Sequence, residues 1–134
     1  MENVYNEIFK YARQYIKENS KYSPTILKDT PPDKKFPLII IKEINPLLQD
    51  ETLKKGEQKF KIVYEIEIFT MNNGNITKQT ITKELKELLI NVFFEYYGMN
   101  IKANKQIPNI DSNLDRWYLK FEAIIDENKK IYRR

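Results

Sequence analysis

The stretch KFKIVYEIEIF, residues 59–69, decides the fold. Apolar and polar residues alternate along it, and successive side chains of a strand leave opposite faces of the sheet. The pattern therefore predicts a half-buried strand with one apolar face. That face carries Phe60, Ile62, Tyr64, Ile66 and Ile68, and the other face carries Lys59, Lys61, Val63, Glu65, Glu67 and Phe69.

Other segments predict strands that extend the same sheet. Residues 36–44, FPLIIIKEI, form an apolar run of strand length, and a further strand is expected at residues 99–107. The alternation returns near the end of the sequence, with Trp117, Leu119, Phe121, Ala123 and Ile125 on one side and Arg116, Tyr118, Lys120 and Glu122 on the other. The sheet thus has a large apolar face that needs a cover.

Two amphipathic helices are predicted to provide that cover. Apolar residues recur at spacings of three and four within residues 2–18 and residues 77–97, as they do on one face of a helix. Gly98 lies where a left-handed residue commonly ends a helix. The expected core stripes are Val4, Ile8, Tyr11, Ala12 and Tyr15 in the first helix, and Ile81, Leu85, Leu88, Leu89, Val92 and Tyr96 in the second.

This order of elements predicts an α+β fold. We expect a two-layer αββαββ domain, with an antiparallel sheet and two helices packed on one face. A chain of 134 residues suffices for one domain, residues 1–134, in which residues 1–18 are the first helix and residues 126–134 a basic C-terminal tail. The stretch 21–35, with three prolines, is expected to be a connector from helix to sheet.

Composition excludes several classes of protein. The chain has no histidine and no cysteine, so His-dependent catalysis, thiol chemistry and structural zinc sites are ruled out, and we expect no metal and no cofactor. No apolar run approaches the roughly 20 residues that span a membrane. The first residues lack the basic and apolar regions of a signal peptide, so we expect synthesis in the cytoplasm and no membrane partner.

Carboxylates are the remaining candidates for catalysis. Glu65 and Glu67 project from one strand face and could bind Mg²⁺ in a nuclease. Such a nuclease also needs Glu-x-Lys on a following strand, and one triplet of this kind, Glu84-Leu85-Lys86, falls within the second predicted helix. We therefore expect Glu65 and Glu67 to pair with Lys or Arg across strands, and we expect that the chain is not an enzyme.

Excess apolar residues point to contacts with other chains. Both helices carry a second apolar stripe, and the predicted loop at residues 45–56, between the first two strands, contains three leucines. The alternative is that the helices pack on each other as well as on the sheet. The candidate interface residues are Leu47, Leu48, Leu53, Lys54, Lys55, Ile90, Phe94, Tyr97, Ile131 and Tyr132.

Three segments, together with the order of elements, suggest a family. They are FPLIIIKE (36–43), VYEIEIF (63–69) and NIDSNLDR (109–116), the last of which leads into FEAIID (121–126). Across residues 3–128 the sequence resembles the small tail terminator or tail completion proteins, also called head-tail joining or collar proteins, of long-tailed phages, prophages and phage-tail-like bacteriocins.

The resemblance implies a structural virion protein without catalytic residues. Such a protein forms a ring, typically a homohexamer, at the head-proximal end of the tail tube, where it ends tail polymerisation and joins the tail to the head. Its partners would be other copies of itself, the tail tube protein, the head connector or neck protein, and DNA that passes through the lumen without sequence reading.

A binding module is the alternative function. A small bacterial protein of this kind would bind RNA or a partner protein on the charged sheet face, with Tyr64 or Tyr118 near its edge. The net charge of +4 is mild for a nucleic-acid binder, although the basic residues of the tail could contact phosphates by Coulomb attraction alone. A lumen that lets DNA pass is expected to be acidic or neutral, so the direction in which the basic residues point matters.

Overall fold

The computed structural model describes residues 2–48, 59–108, 113–126 and 131–132. Within them lie two helices and six strands, and α2 continues directly into a π-helical turn, Asn91–Tyr96. The elements are α1 Glu2–Asn19, β1 Thr25–Leu27, β2 Leu38–Leu48, β3 Lys59–Met71, α2 Lys78–Ile90, β4 Asn100–Gln106, β5 Leu114–Asp126 and β6 Ile131–Tyr132.

The strands form one open sheet in the order β1-β2-β3-β5-β4, and the short β6 pairs with β5 beyond the start of β4. Strands β2, β3, β5 and β4 are antiparallel neighbours, as predicted, but β1 runs parallel to β2. The sheet is therefore mixed, and the prediction of a purely antiparallel sheet is wrong. Strand β1 lies in the predicted connector 21–35, where three residues are too few to show an alternating pattern.

The main core lies between the helices and one face of the sheet. The described apolar side chains of β3 that alternation assigns to this face, Ile62, Tyr64, Ile66 and Ile68, are fully buried, and Leu119, Phe121 and Ile125 of β5 are buried opposite them. Both helices contribute to the same cluster. The sequence predicts this face correctly because a period of two leaves only one choice of register for a half-buried sheet.

Helix α1 covers the bounds predicted for it, but it is rotated relative to the predicted stripe. Its buried residues are Tyr5, Ile8, Phe9, Ala12 and Ile16, whereas Tyr11 and Tyr15 are only partly buried at the flank. The difference has a chemical reason. A tyrosine at the edge of a helix face can bury its ring and leave its hydroxyl in water, whereas Phe9 and Ile16 have no polar group to keep exposed.

Helix α2 loses its regular phase where the π-helical turn begins. The amide of Tyr97 donates to the carbonyl of Val92 at 3.0 Å, which closes a wider turn than the α-helical one. As a result Phe93 is fully buried, while Tyr96, predicted to be a core residue, is 54% exposed. Leu88 and Trp117, also expected in the core, are partly buried against it.

Side-chain acceptors and a glycine lie at the two ends of the second helical segment. The Thr77 side chain accepts from the amide of Thr80, and Oδ1 of Asn72 accepts from the amide of Lys78 at 2.8 Å. These two side chains satisfy amides that have no partner inside the helix. Gly98 has a φ of +74°, which confirms the predicted left-handed helix end.

A smaller apolar cluster lies on the other face of the sheet, at one corner. Leu38, Ile40 and Phe69 are buried there, and Leu27 and Phe36 pack over them. The rest of this face carries mainly charged side chains, together with Val63 and Tyr118. Neither described helix is long and apolar enough to cross a membrane.

Candidate interaction surfaces

The sheet face opposite the helices, called here the open face, is the first candidate surface. Strand register fixes which residues share it, because each aligned row of partners points the same way. Lys42, Glu65 and Lys120 form one such row across β2, β3 and β5, and Glu67 and Tyr118 belong to the next. Tyr64 belongs to the opposite face and is fully buried, so it cannot serve as the exposed aromatic residue of a binding face. Tyr118 lies on the open face and is partly buried.

Carboxylates on the open face are already engaged. Nε of Arg116 donates to Glu67 at 2.7 Å, and Glu122 lies between Lys61 at 3.1 Å and Lys120 at 3.7 Å. The expected cross-strand ion pair is thus confirmed for Glu67. Glu65 differs, since it accepts a hydrogen bond from the Tyr118 hydroxyl at 2.7 Å.

Tyr118 shows the effect of that arrangement. Burial, the hydrogen bond to Glu65 and the negative charges of Glu65 and Glu67 together raise the pKa of Tyr118 to about 12. The phenol therefore stays protonated and acts as a donor to Glu65 at neutral pH. Within the described part of the chain no three acidic side chains converge where a metal ion could bind.

Glu84 and Lys86 lie in α2, as the sequence predicts. Glu84 accepts a hydrogen bond from the amide of Lys21 at 3.0 Å, and Nζ of Lys86 lies 4.1 Å from the centre of the Trp117 ring. Both side chains therefore have contacts that support the fold, on the layer of the molecule opposite Glu65 and Glu67.

A shallow cleft of about 210 Å³ opens where β4 begins beside β5. Its lining residues are Lys61, Asn100, Lys102, Glu122, Ala123 and Ile124. Lys102 lies at a shift in the register between β4 and β5, between Ile101 and Ala103. The cleft brings two lysines close to one carboxylate, so its lining is cationic.

Four tyrosines form the second candidate surface, the tyrosine cluster Tyr11, Tyr15, Tyr96 and Tyr97, where α1 meets the π-helical turn. The rings of Tyr11 and Tyr96 stack with centres 4.4 Å apart, and Tyr97 meets both rings edge-on at 5.8 and 4.9 Å. Burial and the neighbouring Tyr96 and Tyr11 raise the pKa of Tyr97 to about 12. Pattern reasoning missed this cluster because it assigned Tyr96 to the core.

The candidate interface residues of the second helix have partners within the chain. Ile90, Phe94 and Tyr97 are partly buried against the main core. These contacts agree with the alternative in which the helices pack on each other as well as on the sheet. A role in contacts with other subunits stays a prediction.

The first part of the predicted loop at residues 45–56 belongs to β2. Leu47 and Leu48 belong to β2, where they pair with Lys61 and Phe60 after a register shift that begins at Ile44. That shift contains Pro46, whose missing N–H is tolerated at an irregularity of this kind. Leu53, Lys54 and Lys55 lie outside the described residues.

The predicted C-terminal tail, residues 126–134, also contains regular structure. Asp126 ends β5, and Ile131 and Tyr132 form β6, which pairs with Ile125 and Ile124. These two candidate residues therefore extend the sheet, at the same edge of β5 that β4 occupies further along.

A buried polar network was not anticipated from the sequence. Asp115, only 3% exposed, accepts from the Thr82 hydroxyl and from Nε2 of Gln106, both at 2.7 Å. The hydroxyls of Thr70 and Thr82 are also 2.7 Å apart. The network links β3, α2, β5 and β4. The sequence offers one signal for it, since the polar residues Thr70 and Asp115 each occupy a strand position whose side chain faces the helices.

Comparison with known proteins adds no relative: the sequence matches no protein-family model and no curated protein.

Proposed function

We propose that this chain is a structural virion protein that forms a six-fold ring at the head-proximal end of a phage tail tube. In this role it ends tail polymerisation and joins the tail to the head connector or neck protein. The chain would be made in the cytoplasm of the bacterial host and would reside in the virion. No catalysis, metal or cofactor is required for this role.

The observation that carries the proposal is the open sheet with two unlike edges. Among the described residues, β4 pairs only with β5, so its other side forms one edge of the sheet. At the opposite edge β1 pairs with β2 only as far as Ile40, and the described remainder of β2 has no strand on its outer side. At that edge the Tyr5 hydroxyl donates to the carbonyl of Ile44 at 2.7 Å. Two different surfaces on opposite sides of one subunit are what a heterologous, head-to-tail contact uses, and such contacts close into rings when the rotation per subunit allows.

The layered arrangement gives further support. With neighbours at the two sheet edges, the helix layer and the open face would remain for the tube, the connector and the DNA in the lumen. The helix layer presents the tyrosine cluster, and tyrosine is enriched in protein–protein contacts because it combines large area with a hydrogen-bonding group. The resemblance of residues 3–128 to tail terminator proteins completes the support.

The test is deletion of the gene in a phage or prophage that encodes the protein. Electron microscopy of induced particles should show tails of irregular length without heads, and wild-type protein supplied in trans should restore uniform, head-bearing tails. Purified protein mixed with its tail tube protein should show rings, with a native mass of six 16.2 kDa subunits. A monomer in the absence of the tube is compatible with the proposal, because the tube can act as the template.

Uniform tails with heads attached in the deletion strain would show that the proposed function is wrong. The complementation control is needed because a deletion can also reduce expression of the neighbouring genes. Restoration in trans assigns the defect to this protein.

A further inference from the structure

The strands of the open face carry more positive than negative charge. Their described side chains, including Lys102 at the rim of the cleft, comprise the cations Lys42, Lys61, Lys102, Lys105, Arg116 and Lys120 and the carboxylates Glu65, Glu67 and Glu122. The described side chains of α1 and α2 with its π-helical turn are closer to balance, with Lys10, Arg13, Lys17, Lys78, Lys83 and Lys86 against Glu7, Glu18, Glu84, Glu87 and Glu95. The excess positive charge of the described elements is therefore concentrated on the open face.

Three of these cations are available to a partner. Arg116, Lys61 and Lys120 are held by Glu67 and Glu122. Lys42, Lys102 and Lys105 are exposed, and none of them forms an ion pair with a carboxylate in the described part of the chain. A polyanion that binds here would not have to break an existing ion pair.

The positions of the three lysines span the sheet. Lys42 is on β2, and Lys102 and Lys105 are on β4, with β3 and β5 between them. Strands are about 4.8 Å apart, so the lysines are separated by roughly 14 Å across the sheet. A nucleic-acid duplex carries one phosphate charge per 1.7 Å or so of its axis, and would present about eight phosphates over that distance.

The ring of Tyr118, which lies among the charged side chains of this face, already has contacts within the chain. The Tyr118 hydroxyl is bound to Glu65, and Nζ of Lys105 lies 6.0 Å from the centre of its ring. A surface that offers separate cations without a free ring contacts phosphates and does not read bases.

We infer that the open face of the sheet is a weak, sequence-independent binding surface for nucleic-acid phosphates, centred on Lys42, Lys102 and Lys105. Binding at this face does not require a ring. Its failure and the failure of the proposed function are therefore separate results.

The experiment is fluorescence anisotropy with a labelled random-sequence 20-base-pair DNA duplex and the full chain at pH 7. Three phosphate contacts give a slope of about −2.7 for log K against log salt, which is a roughly 40-fold loss of affinity between 50 and 200 mM KCl. The triple variant Lys42→Gln, Lys102→Gln, Lys105→Gln should bind at least tenfold more weakly at 50 mM, with a slope smaller by two to three units.

A matched control tests position against net charge. Lys10, Arg13 and Lys17 are exposed on α1, and the variant Lys10→Gln, Arg13→Gln, Lys17→Gln removes the same charge from the helix layer. It should change affinity less than twofold. A second variant, Arg133→Gln, Arg134→Gln, tests the basic end of the sequence and should also retain most of the affinity. All three variants should melt within a few degrees of the wild-type protein.

Several results would overturn the inference. One is that the wild-type protein does not bind the duplex at 50 mM salt, and another is that the sheet and helix variants weaken DNA binding equally. A third is that only the Arg133, Arg134 variant loses DNA binding. Competition by poly-glutamate as strong as by DNA of equal charge would also count against it, because the occupant would then be an acidic protein surface. Equal affinity for two unrelated duplex sequences supports it.

Discussion

At the scale of single residues, Asp115 is a buried acidic side chain held by neighbours on two other elements. Its carboxylate is buried in the core and accepts only hydrogen bonds from neutral donors, Thr82 and Gln106. Since Thr82 uses its one hydroxyl proton for Asp115, the proton between the two threonines comes from Thr70, which shares it with the carbonyl of Lys78 at 3.1 Å. Such a network is favourable only when each member is satisfied, so it fixes how α2 sits on the sheet.

Replacing Asp115 with Ala should lower the free energy of unfolding by about 2 kcal/mol, because the buried Thr82 hydroxyl loses its acceptor, whereas Gln106 is exposed and its amide can bond to water. Urea denaturation followed by circular dichroism measures the change. Asp115→Asn keeps one acceptor oxygen and should cost less. Asp29→Ala, at an exposed position, is the control and should stay within about 0.5 kcal/mol of wild type. An equal effect of Asp115→Ala and Asp29→Ala would contradict the role of the network.

At the scale of elements, the π-helical turn determines what α2 presents to the core and to solvent. Phe93 packs between Tyr64 and Phe121, with ring centres 5.1 and 5.0 Å away. A regular helix would have directed Tyr96 towards the core stripe, because residues 89, 92 and 96 share one face at a period of 3.6. The wider turn instead leaves Tyr96 exposed in the tyrosine cluster.

Two alanine substitutions test whether Phe93 or Tyr96 faces the core. Phe93→Ala should destabilise the protein by about 3–5 kcal/mol through loss of a buried ring and formation of a cavity. Tyr96→Ala should cost about 1 kcal/mol or less, the value of a surface ring stack. Thermal or urea unfolding measures both. A larger effect for Tyr96 than for Phe93 would mean that the helix continues without the π-helical turn.

The sequence predicts some of these elements better than others. Alternation in β3 and β5 predicts the buried face correctly, because the period is exact and long enough to be read from single residues. Helix stripes are less reliable, because one extra residue in a turn rotates the later side chains around the helix axis. In this chain the wider turn places Phe93 in the core and leaves Tyr96 exposed. Strand β1 has only three residues, and its place in the sheet depends on Leu38–Ile40, contacts that local sequence does not encode.

The candidate surfaces were predicted less well than the fold. The ion pair of Glu67 follows from cross-strand pairing, but the choice of Tyr118 as the partner of Glu65 depends on side-chain geometry. Which lysines of the open face remain free of ion pairs depends on which cations the carboxylates bind. Those pairs can be assigned only once the register of the strands is known.

At the scale of the whole molecule, burial affects the ionisation of tyrosines both in the main core and on the open face. Burial, with the nearby Glu43 as a further cause, raises the pKa of Tyr5 to about 12 and that of Tyr64 further still. The same direction holds for Tyr97 and Tyr118. The folded state therefore binds these protons more tightly than the unfolded chain, in which tyrosine ionises near its ordinary pKa of about 10.

The sign of this linkage predicts unfolding by alkali. The contribution of the tyrosines is fully present below about pH 10 and is lost as the pH rises towards 12, by up to about 1.4 kcal/mol per pH unit for the buried Tyr64. Circular dichroism together with absorbance at 295 nm against pH should show one transition in this window. Tyr64→Phe removes one of these ionisable groups. After correction for any change in its stability at pH 8, the variant should unfold at a higher pH than the wild-type protein. Ionisation of all nine tyrosines near pH 10 in the folded protein would contradict the prediction.

Burial of α1 has a consequence for the order in which this fold is made. Its apolar face, with Ile8, Ala12 and Ile16, packs in a core that includes Leu119, Phe121 and Ile125 of β5. About 100 residues of translation separate the two elements, which is roughly 5–20 s at ribosomal rates of about 5–20 residues per second. During that interval the face of α1 is still incompletely covered. The nascent chain is then a substrate for chaperones, and slow decoding between α1 and β5 would lengthen its exposure.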